Sequence, residues 1–441
     1  MIDMTKNMLK ATIAGLGIAI TLMGCSGTTE TAPIDTTEQG KLETAVVVDE
    51  TSDAEVEVVE DSDATSTFSA QVTELTGAAG GVLSAADLFT ERELTQNADL
   101  TGATYCTLAS GQDITITDEG VYVISGTAED VTIIVEAEDT DKVQIVLDGA
   151  TITNSDAPAI YVKSADKVFV TTQGENSLST TGAFVADGET NLDAVIFSRD
   201  DIVLDGTGTL AISSSANGVS CKDDLKITGG TISIDCVEDA LEANDSVRIA
   251  GGDITITTPK DAIHAENDED DTVGYVYICG GTLNIEAGDD GIHATTYVQI
   301  DGGTINLSAA EAIEGTIVQL NGGDVEVYAT DDGINASYKS DSLGTPVLEI
   351  NGGSLAISMA QGDTDALDSN GYLYINGGTV DISAQFAFDY DLGAQMTGGT
   401  VYVNGEQVYE ITESMMMGGP GGGMGGPGGG MGPGMGGGPG W

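Results

Sequence analysis

The residues of this chain whose type and spacing could do chemistry are acids and imidazoles in a short element that returns six times. The copies are Glu238-Asp239-Ala240-Leu241-Glu242, Lys260-Asp261-Ala262-Ile263-His264, Asp289-Asp290-Gly291-Ile292-His293, Ala310-Glu311-Ala312-Ile313-Glu314, Asp331-Asp332-Gly333-Ile334-Asn335 and Thr364-Asp365-Ala366-Leu367-Asp368. Aligned, the second position reads Asp239, Asp261, Asp290, Glu311, Asp332, Asp365, and the fifth reads Glu242, His264, His293, Glu314, Asn335, Asp368. A seventh copy breaks the first column with Phe386 and keeps the second with Asp389. Copies stacked at a strand spacing of ~4.8 Å would set neighbouring carboxylates against each other by roughly 3 kcal/mol at an effective dielectric of ~20.

Protonation of some acids relieves that repulsion, and so do cations between them. Oxygen-rich sites select Ca2+, which takes about six to eight oxygen ligands. Asp289 and Asp331 in the Asp-Asp-Gly turns, and the run Glu266-Asn267-Asp268-Glu269-Asp270-Asp271, supply further oxygens. The expected metal ligands are therefore Asp239, Asp261, Asp290, Glu311, Asp332, Asp365, Asp289 and Asp331. His264 and His293 suit a transition metal, but as neighbours in a column of acids they read as polar stacking partners. The competing reading is a solvated acidic face.

The element that must position these columns is a repeat. Leu225-Lys226-Ile227-Thr228-Gly229-Gly230-Thr231-Ile232-Ser233-Ile234 is the first copy, and its Gly-Gly pair returns at 251, 280, 302, 322, 352, 377 and, truncated, 398. The spacings run from 20 to 30 residues, the mark of a solenoid whose turns pack on their neighbours. Apolar and polar residues alternate around each Gly-Gly, which is the period of a strand with one buried face. No amphipathic helical stretch lies between copies, and the Asn ladder of a leucine-rich repeat is not evident. The expected fold is all-β: a single right-handed parallel β-helix of about a dozen rungs. Asp148-Gly149 and Asp205-Gly206 extend the pattern towards the N-terminus. Ile234, Ile256, Ile285, Leu307, Val327 and Ile357 should form one inward ladder.

The rest of the 441 residues divides by composition. Residues 1–25 read as a signal segment: Lys6 and Lys10, an apolar core, and Leu22-Met23-Gly24-Cys25, which resembles a bacterial lipobox and implies lipid on Cys25 and a membrane-anchored, cell-surface location. Residues 26–100 read as a disordered acidic stalk, although Ala85-Ala86-Asp87-Leu88-Phe89 could begin a short helix or capping segment. Residues 101–410 are the β-helix domain, with a projecting loop within Thr171–Asp193. Residues 411–441 form a Gly, Met and Pro-rich tail. The formal charge is −59, from 13 Lys and Arg against 72 Asp and Glu; such a chain repels nucleic acid and favours cations or basic partners. Cys106, Cys221, Cys236 and Cys279 show no metal-site spacing; an export signal permits disulfides, and the sequence alone leaves the pairing of these four open. The oligomeric state stays open.

Residues 105–405 resemble the carbohydrate-binding β-helix family found on surface lipoproteins of plant-polysaccharide-degrading anaerobic bacteria. The likeness is carried by Val146-Leu147-Asp148-Gly149-Ala150-Thr151-Ile152, by Leu204-Asp205-Gly206-Thr207-Gly208-Thr209-Leu210, and by the Gly-Gly-Thr-Ile to Asp-Asp-Gly-Ile series. Pectinase-type β-helices share single motifs; the ordered set is more specific. The resemblance implies binding of acidic polysaccharide such as polygalacturonate, Ca2+ in the helix, and a fold similar to pectate lyases without catalysis. The alternatives are a Ca2+-dependent polysaccharide lyase, for which Arg199, Lys222, Arg248 and Lys260 are the available bases, and a structural or adhesive surface protein.

Overall fold

The computed structural model describes residues 82–413 apart from 268, 269, 271, 341, 342 and 363. The signal segment with Cys25, the stalk up to residue 81 and the tail from residue 414 lie outside the described residues. What is described is a coil of 34 strands and one helical turn. Strand pairs are parallel throughout, except that Thr400–Val403 meets Glu406–Val408 antiparallel. The parallel β-helix expected from the repeat is the observed fold, and its third face climbs through a dozen strands from Ile114–Ile116 to Phe386–Phe388.

Each turn lays one strand on each of three faces. For one rung these are Ser246–Ile249 on the first face, Asp253–Thr258 on the second and Ile263–Ala265 on the third. On the second face the alternation of the sequence is realised directly. Ile234, Ile256, Ile285, Leu307, Val327 and Ile357 pair in one row and are all buried. Between them, residues such as Thr255 and Glu326 point outward. Stacked Ile, Leu and Val side chains make the core continuous along the coil, each turn burying its neighbours' apolar surface.

The corner between first and second faces explains the Gly-Gly pair. A Cβ on the first glycine would meet the carbonyl oxygen of the preceding turn, 2.8 Å away for Gly251 on Thr228. The second glycine has a positive φ, 104° at Gly252 and 100° at Gly303, which L side chains rarely adopt. An amide ladder does run beside this corner, contrary to the sequence reading. Asn376 donates to Asn351 (2.9 Å), Asn351 to Asn321 (2.8 Å), and Asn321 to Asp301 (2.8 Å). It satisfies polar side chains that the corner half buries.

The extra length expected within Thr171–Asp193 resolves into a second-face strand, Glu175–Thr180, and a loop that follows it. Lys163 reaches Asp187 in that loop at 2.9 Å. At the C-terminal end, Asn404 and Gly405 both take positive φ, the requirement of a tight hairpin, and the hairpin covers the last rung's edge. Cys106, Cys221, Cys236 and Cys279 are free thiols.

The stalk expectation needs a correction at its C-terminal end. Residues 82–97 are not a linker but a strap packed on the first face, with the short helix at Ala85–Leu88. Leu83, Leu88 and Phe89 are buried against Tyr275, Tyr277, Tyr297, Ile317, Leu343 and Val347. Three buried side chains of this size contribute about 1.5–3 kcal/mol each, enough to hold a segment that composition assigned to disorder. Glu93 is fully buried, with Oε1 2.7 Å from both Lys167 Nζ and Lys226 Nζ.

Candidate functional site

The third face carries both columns, and its register stacks them as the sequence implies. Glu242 pairs with His264, His264 with His293, His293 with Glu314, Glu314 with Asn335, and Asn335 with Asp368. The first column stands at the turn entering this face, where its carboxylates serve the backbone. Asp239 Oδ1 accepts the Asp261 N–H (3.2 Å), Asp261 Oδ1 the Asp290 N–H (2.9 Å), and Asp332 Oδ1 the Asp365 N–H (3.1 Å). Asn217 starts the ladder by accepting the Asp239 N–H at 2.9 Å. One oxygen of each such carboxylate is thus committed to closing the turn, and Oδ2 is left to face the second column.

There the oxygens meet imidazoles. His264 Nδ1 lies 3.0 Å from Asp239 Oδ2 and 3.4 Å from Asp261 Oδ2, and His293 Nδ1 lies 2.7 Å from Asp290 Oδ2 and 3.2 Å from Glu314 Oε2. The two rings lie with centroids 4.9 Å apart and their planes tilted by 58°. Two lysines pair with the row: Lys222 Nζ is 3.3 Å from Glu242 Oε1, and Lys339 Nζ is 2.8 Å from Glu314 Oε2.

Three overlapping triads result: Asp239, Asp261, His264; Asp261, Asp290, His293; and Asp290, Glu311, Glu314, each with ligand atoms within 4.8 Å of one another. Asp261 and Asp290 each belong to two of them. Among the described residues, Asp332, Asp365, Asp289 and Asp331 join no such triad. Asp289 and Asp331 are exposed at the turn, and Asp289 lies 3.7 Å from Lys260. His264, His293 and Glu314, set aside as ligands by the sequence reading, are the side chains that complete the triads. The signal for them was the second column, locked to the same period as the first.

Burial and crowding decide the protonation. Burial pushes Asp261 up to about 6. Burial and the neighbouring Glu314 push Glu311 up to about 7. Burial alone would raise Glu314, but hydrogen bonds from His293 and Lys339 pull it well below its ordinary range. Burial disfavours a charged His293, and the hydrogen bonds to Asp290 and Glu314 override it and raise the imidazole. The repulsion implied by stacked acids is relieved by shared protons, imidazolium and two ammonium groups. The Asp290, Glu311, Glu314 triad is an all-oxygen donor set, the kind that suits Ca2+; the other two mix in one nitrogen each. A cation entering the all-oxygen triad would take over the charge that His293 and Lys339 supply to Glu314.

Other surfaces are distinct from this row. On the second face, Thr255, Asn284, Asn306, Glu286, Glu326 and Tyr328 line an open groove of about 620 Å³. No helix among the described residues is long and apolar enough to cross a membrane.

Comparison with known proteins gives the site its context. A carbohydrate-binding domain-containing protein of Acetivibrio thermocellus is 40% identical over 126 residues, 27% of this chain and 44% of that protein. The matched stretch is therefore less than half of that relative's length. A solved structure described as a polysaccharide lyase-like protein from C. thermocellum, as a gadolinium derivative, is 28% identical, with a TM-score of 0.41 over 60% of this chain and 99% of the other. Residues 110–366, more than half of the sequence, match the family described as carbohydrate-binding domain-containing protein, and the chain belongs to that family.

Proposed function

We propose that the third face holds an anionic polysaccharide of the polygalacturonate type through bound Ca2+, and that the protein binds this polymer without cleaving it. The observation that carries the reading is the run of three triads sharing Asp261 and Asp290 in a chain whose family is carbohydrate-binding. A chain of charge −59 and a uronate polymer repel, and a cation ligated from both sides removes that objection. Asp290, Glu311 and Glu314 supply the all-oxygen site; Asp239 and Asp261 extend it along the column, with Asp332, Asp365, Asp289 and Asp331 as outer acidic positions. The lipobox cysteine, Cys25, would carry the lipid that anchors the protein at the cell surface.

The state of the lysines favours binding over lyase chemistry. Proton abstraction beside a metal needs a neutral base. Burial acts to lower the pKa of Lys339, but its hydrogen bond to Glu314 raises it and keeps the ammonium charged. Lys222 is paired with Glu242, Arg248 is buried against Asp224 at 2.6 Å, and Lys260 faces Asp289. Incubation with polygalacturonate, with Ca2+ or with chelator, tests both parts at once. Stronger sedimentation with the polymer in Ca2+ than in chelator, without unsaturated product, is expected. Product formation overturns the non-catalytic reading, and binding that is indifferent to chelator overturns the role of Ca2+.

A further inference from the structure

Three of the 13 Lys and Arg residues, Lys167, Lys226 and Arg248, are buried on the outer side of the first face. What buries them is the strap, and it lies lengthwise along one row of that face. The row runs through Lys226, Arg248, Tyr277, Gln299 and Gln319, one residue per turn. The strap meets it turn by turn. Val82 N–H donates to Gln319 Oε1 (3.3 Å), and Leu83 exchanges two hydrogen bonds with the Gln299 amide (2.8 and 2.9 Å). Leu88 O accepts from Arg248 (3.5 Å), and Glu93 Oε1 accepts from Lys226 and Lys167 (both 2.7 Å). Gln96 donates to Thr228 O (3.0 Å) and accepts from Gly206 N–H (3.0 Å).

The covered surface has the chemistry of a sugar-acid site. Two lysines converge on a single carboxylate oxygen. The Gln299 amide offers a donor and an acceptor and the Gln319 amide an acceptor, its Nε2 being held by Glu349; both are the kind of partner a hydroxyl takes. Tyr275, Tyr277 and Tyr297 give an aromatic floor for the apolar side of a ring. Rungs repeat at ~4.8 Å, so a linear polymer lying along the row meets one of these side chains at every turn, cationic at Lys226 and Arg248, aromatic at Tyr277 and amide at Gln299 and Gln319. Each kind of contact the strap makes, carboxylate, hydrogen-bonding oxygen and apolar surface, has a counterpart in an oligouronate.

We propose that the first face is a second, latent binding site for acidic oligosaccharide, occupied in the free protein by residues 82–97, with Glu93 standing in for a uronate carboxylate. The inference rests on the reading that this protein binds acidic carbohydrate, and not on the cations of the third face. The strap is tethered to its site, so it competes at a high effective concentration. Long oligouronates, which engage several turns together, displace it best.

Hydrogen exchange on the full chain tests this, with chelator present throughout to silence binding through cations. Saturating oligogalacturonate should speed exchange of residues 82–97 at least tenfold while the strand Tyr275–Ile278 stays protected. In the same buffer, Glu93→Gln, which keeps an acceptor and loses the charge, should bind oligogalacturonate at least tenfold more tightly by calorimetry. Unchanged or slowed exchange in the strap overturns the proposal, as does a folded Glu93→Gln variant that binds no more tightly than the natural protein. If that variant fails to fold, the exchange result decides alone. A protein that binds polygalacturonate in Ca2+ yet keeps its strap still in chelator lacks the second site and retains the third-face function. A protein that binds under neither condition refutes both.

Discussion

On the third face acids outnumber bases and range from the buried Asp290 and Glu314 to the partly exposed Glu242, whereas on the first face the Glu93 carboxylate lies fully buried between two ammonium groups. The third face spreads its charge over shared protons, two imidazoles and two lysines, and no one pair dominates. On the first face Glu93 takes both Lys167 and Lys226, while Asp201 also meets Lys167 and Asp224 meets Arg248. Burial would raise the pKa of Glu93, but the Lys226 charge and the hydrogen bonds from Lys167, Lys226 and the Thr90 N–H hold it down at about 2. Removing one partner of a buried pair leaves an uncompensated charge, which costs far more than losing one member of a half-solvated network. Similar charges on one scaffold therefore give one face whose acids share several partners and one whose fully buried carboxylate is held by two ammonium groups.

The core common to both faces sets the largest effect. Ile256→Asp places a charge in the middle of the apolar ladder with nothing to pair it, so both faces should be lost together. Circular dichroism should show loss of the cooperative transition; a variant melting like the natural protein would mean the ladder is not what holds the turns. Next comes Glu93→Ala, expected to cost about 3–5 kcal/mol by removing the carboxylate that the buried Lys167 and Lys226 share. Glu242→Ala on the third face, whose pair with Lys222 is partly exposed, should cost about 1 kcal/mol. Denaturant unfolding of the two variants side by side measures the contrast, and equal losses would erase it.

Stability against pH should separate the faces by sign. Glu93 titrates at about 2 folded against 4.5 ordinarily, so the stability it gives is complete above pH 4.5 and disappears as the pH falls from there towards 2. Asp261 and Glu311 behave oppositely. With folded values of about 6 and about 7 against 3.8 and 4.5 ordinarily, the folded state holds their protons more tightly than the unfolded chain does, so stability falls as the pH rises from about 4 to about 7 and is level above that. The melting temperature should peak between these limits. Glu93→Gln should flatten the acid limb and Glu311→Gln the alkaline one. Ca2+ should flatten the alkaline limb too, by supplying positive charge where protons had been. With Ca2+ at 100 times its dissociation constant the gain is about 2.7 kcal/mol, and calorimetry with chelator should abolish it.

The sequence made the third face readable and hid the first, for a physical reason. The columns repeat with the Gly-Gly corner, so a period written in glycines and alternating Ile and Val also fixed which acids share a row. The strap has no period. It is held by separate long-range contacts, such as Glu93 with Lys167 and Leu83 with Gln299, and its composition resembles the acidic residues before it. One local signal was present: Thr90 and Glu93 form a reciprocal capping pair, Thr90 N–H to Glu93 Oε2 at 2.8 Å and Glu93 N–H to Thr90 Oγ1 at 3.3 Å, a pattern legible as Thr-x-x-Glu. The aromatic floor was masked because Tyr275-Val276-Tyr277-Ile278 is buried on both sides and reads as a continuous apolar run. The triads took more than register, since only side-chain geometry shows Oδ2 of Asp239 and Asp290 turned towards the imidazoles.

The smallest expected effect is the sharpest test of what the acidic column is. Asp290 and Asp332 occupy the same position in neighbouring odd turns, and sequence alone ranks them as equal ligands. Asp290 Oδ2 faces His293 and belongs to two triads, whereas Asp332 gives Oδ1 to the Asp365 N–H and joins none. Asparagine at 332 keeps that acceptor and removes a charge whose pKa burial already raises. Asp332→Asn should therefore change stability by no more than about 0.5 kcal/mol and leave Ca2+-dependent stabilisation intact. Asp290→Asn should remove most of that stabilisation while the fold persists. If binding instead reflects a diffuse counterion cloud over a solvated acidic face, each variant removes one charge of many, and both should weaken Ca2+ stabilisation by the same small amount. Calorimetry of the two variants in Ca2+ and in chelator tells discrete triads from a cloud, because only triads make Asp290 and Asp332 differ.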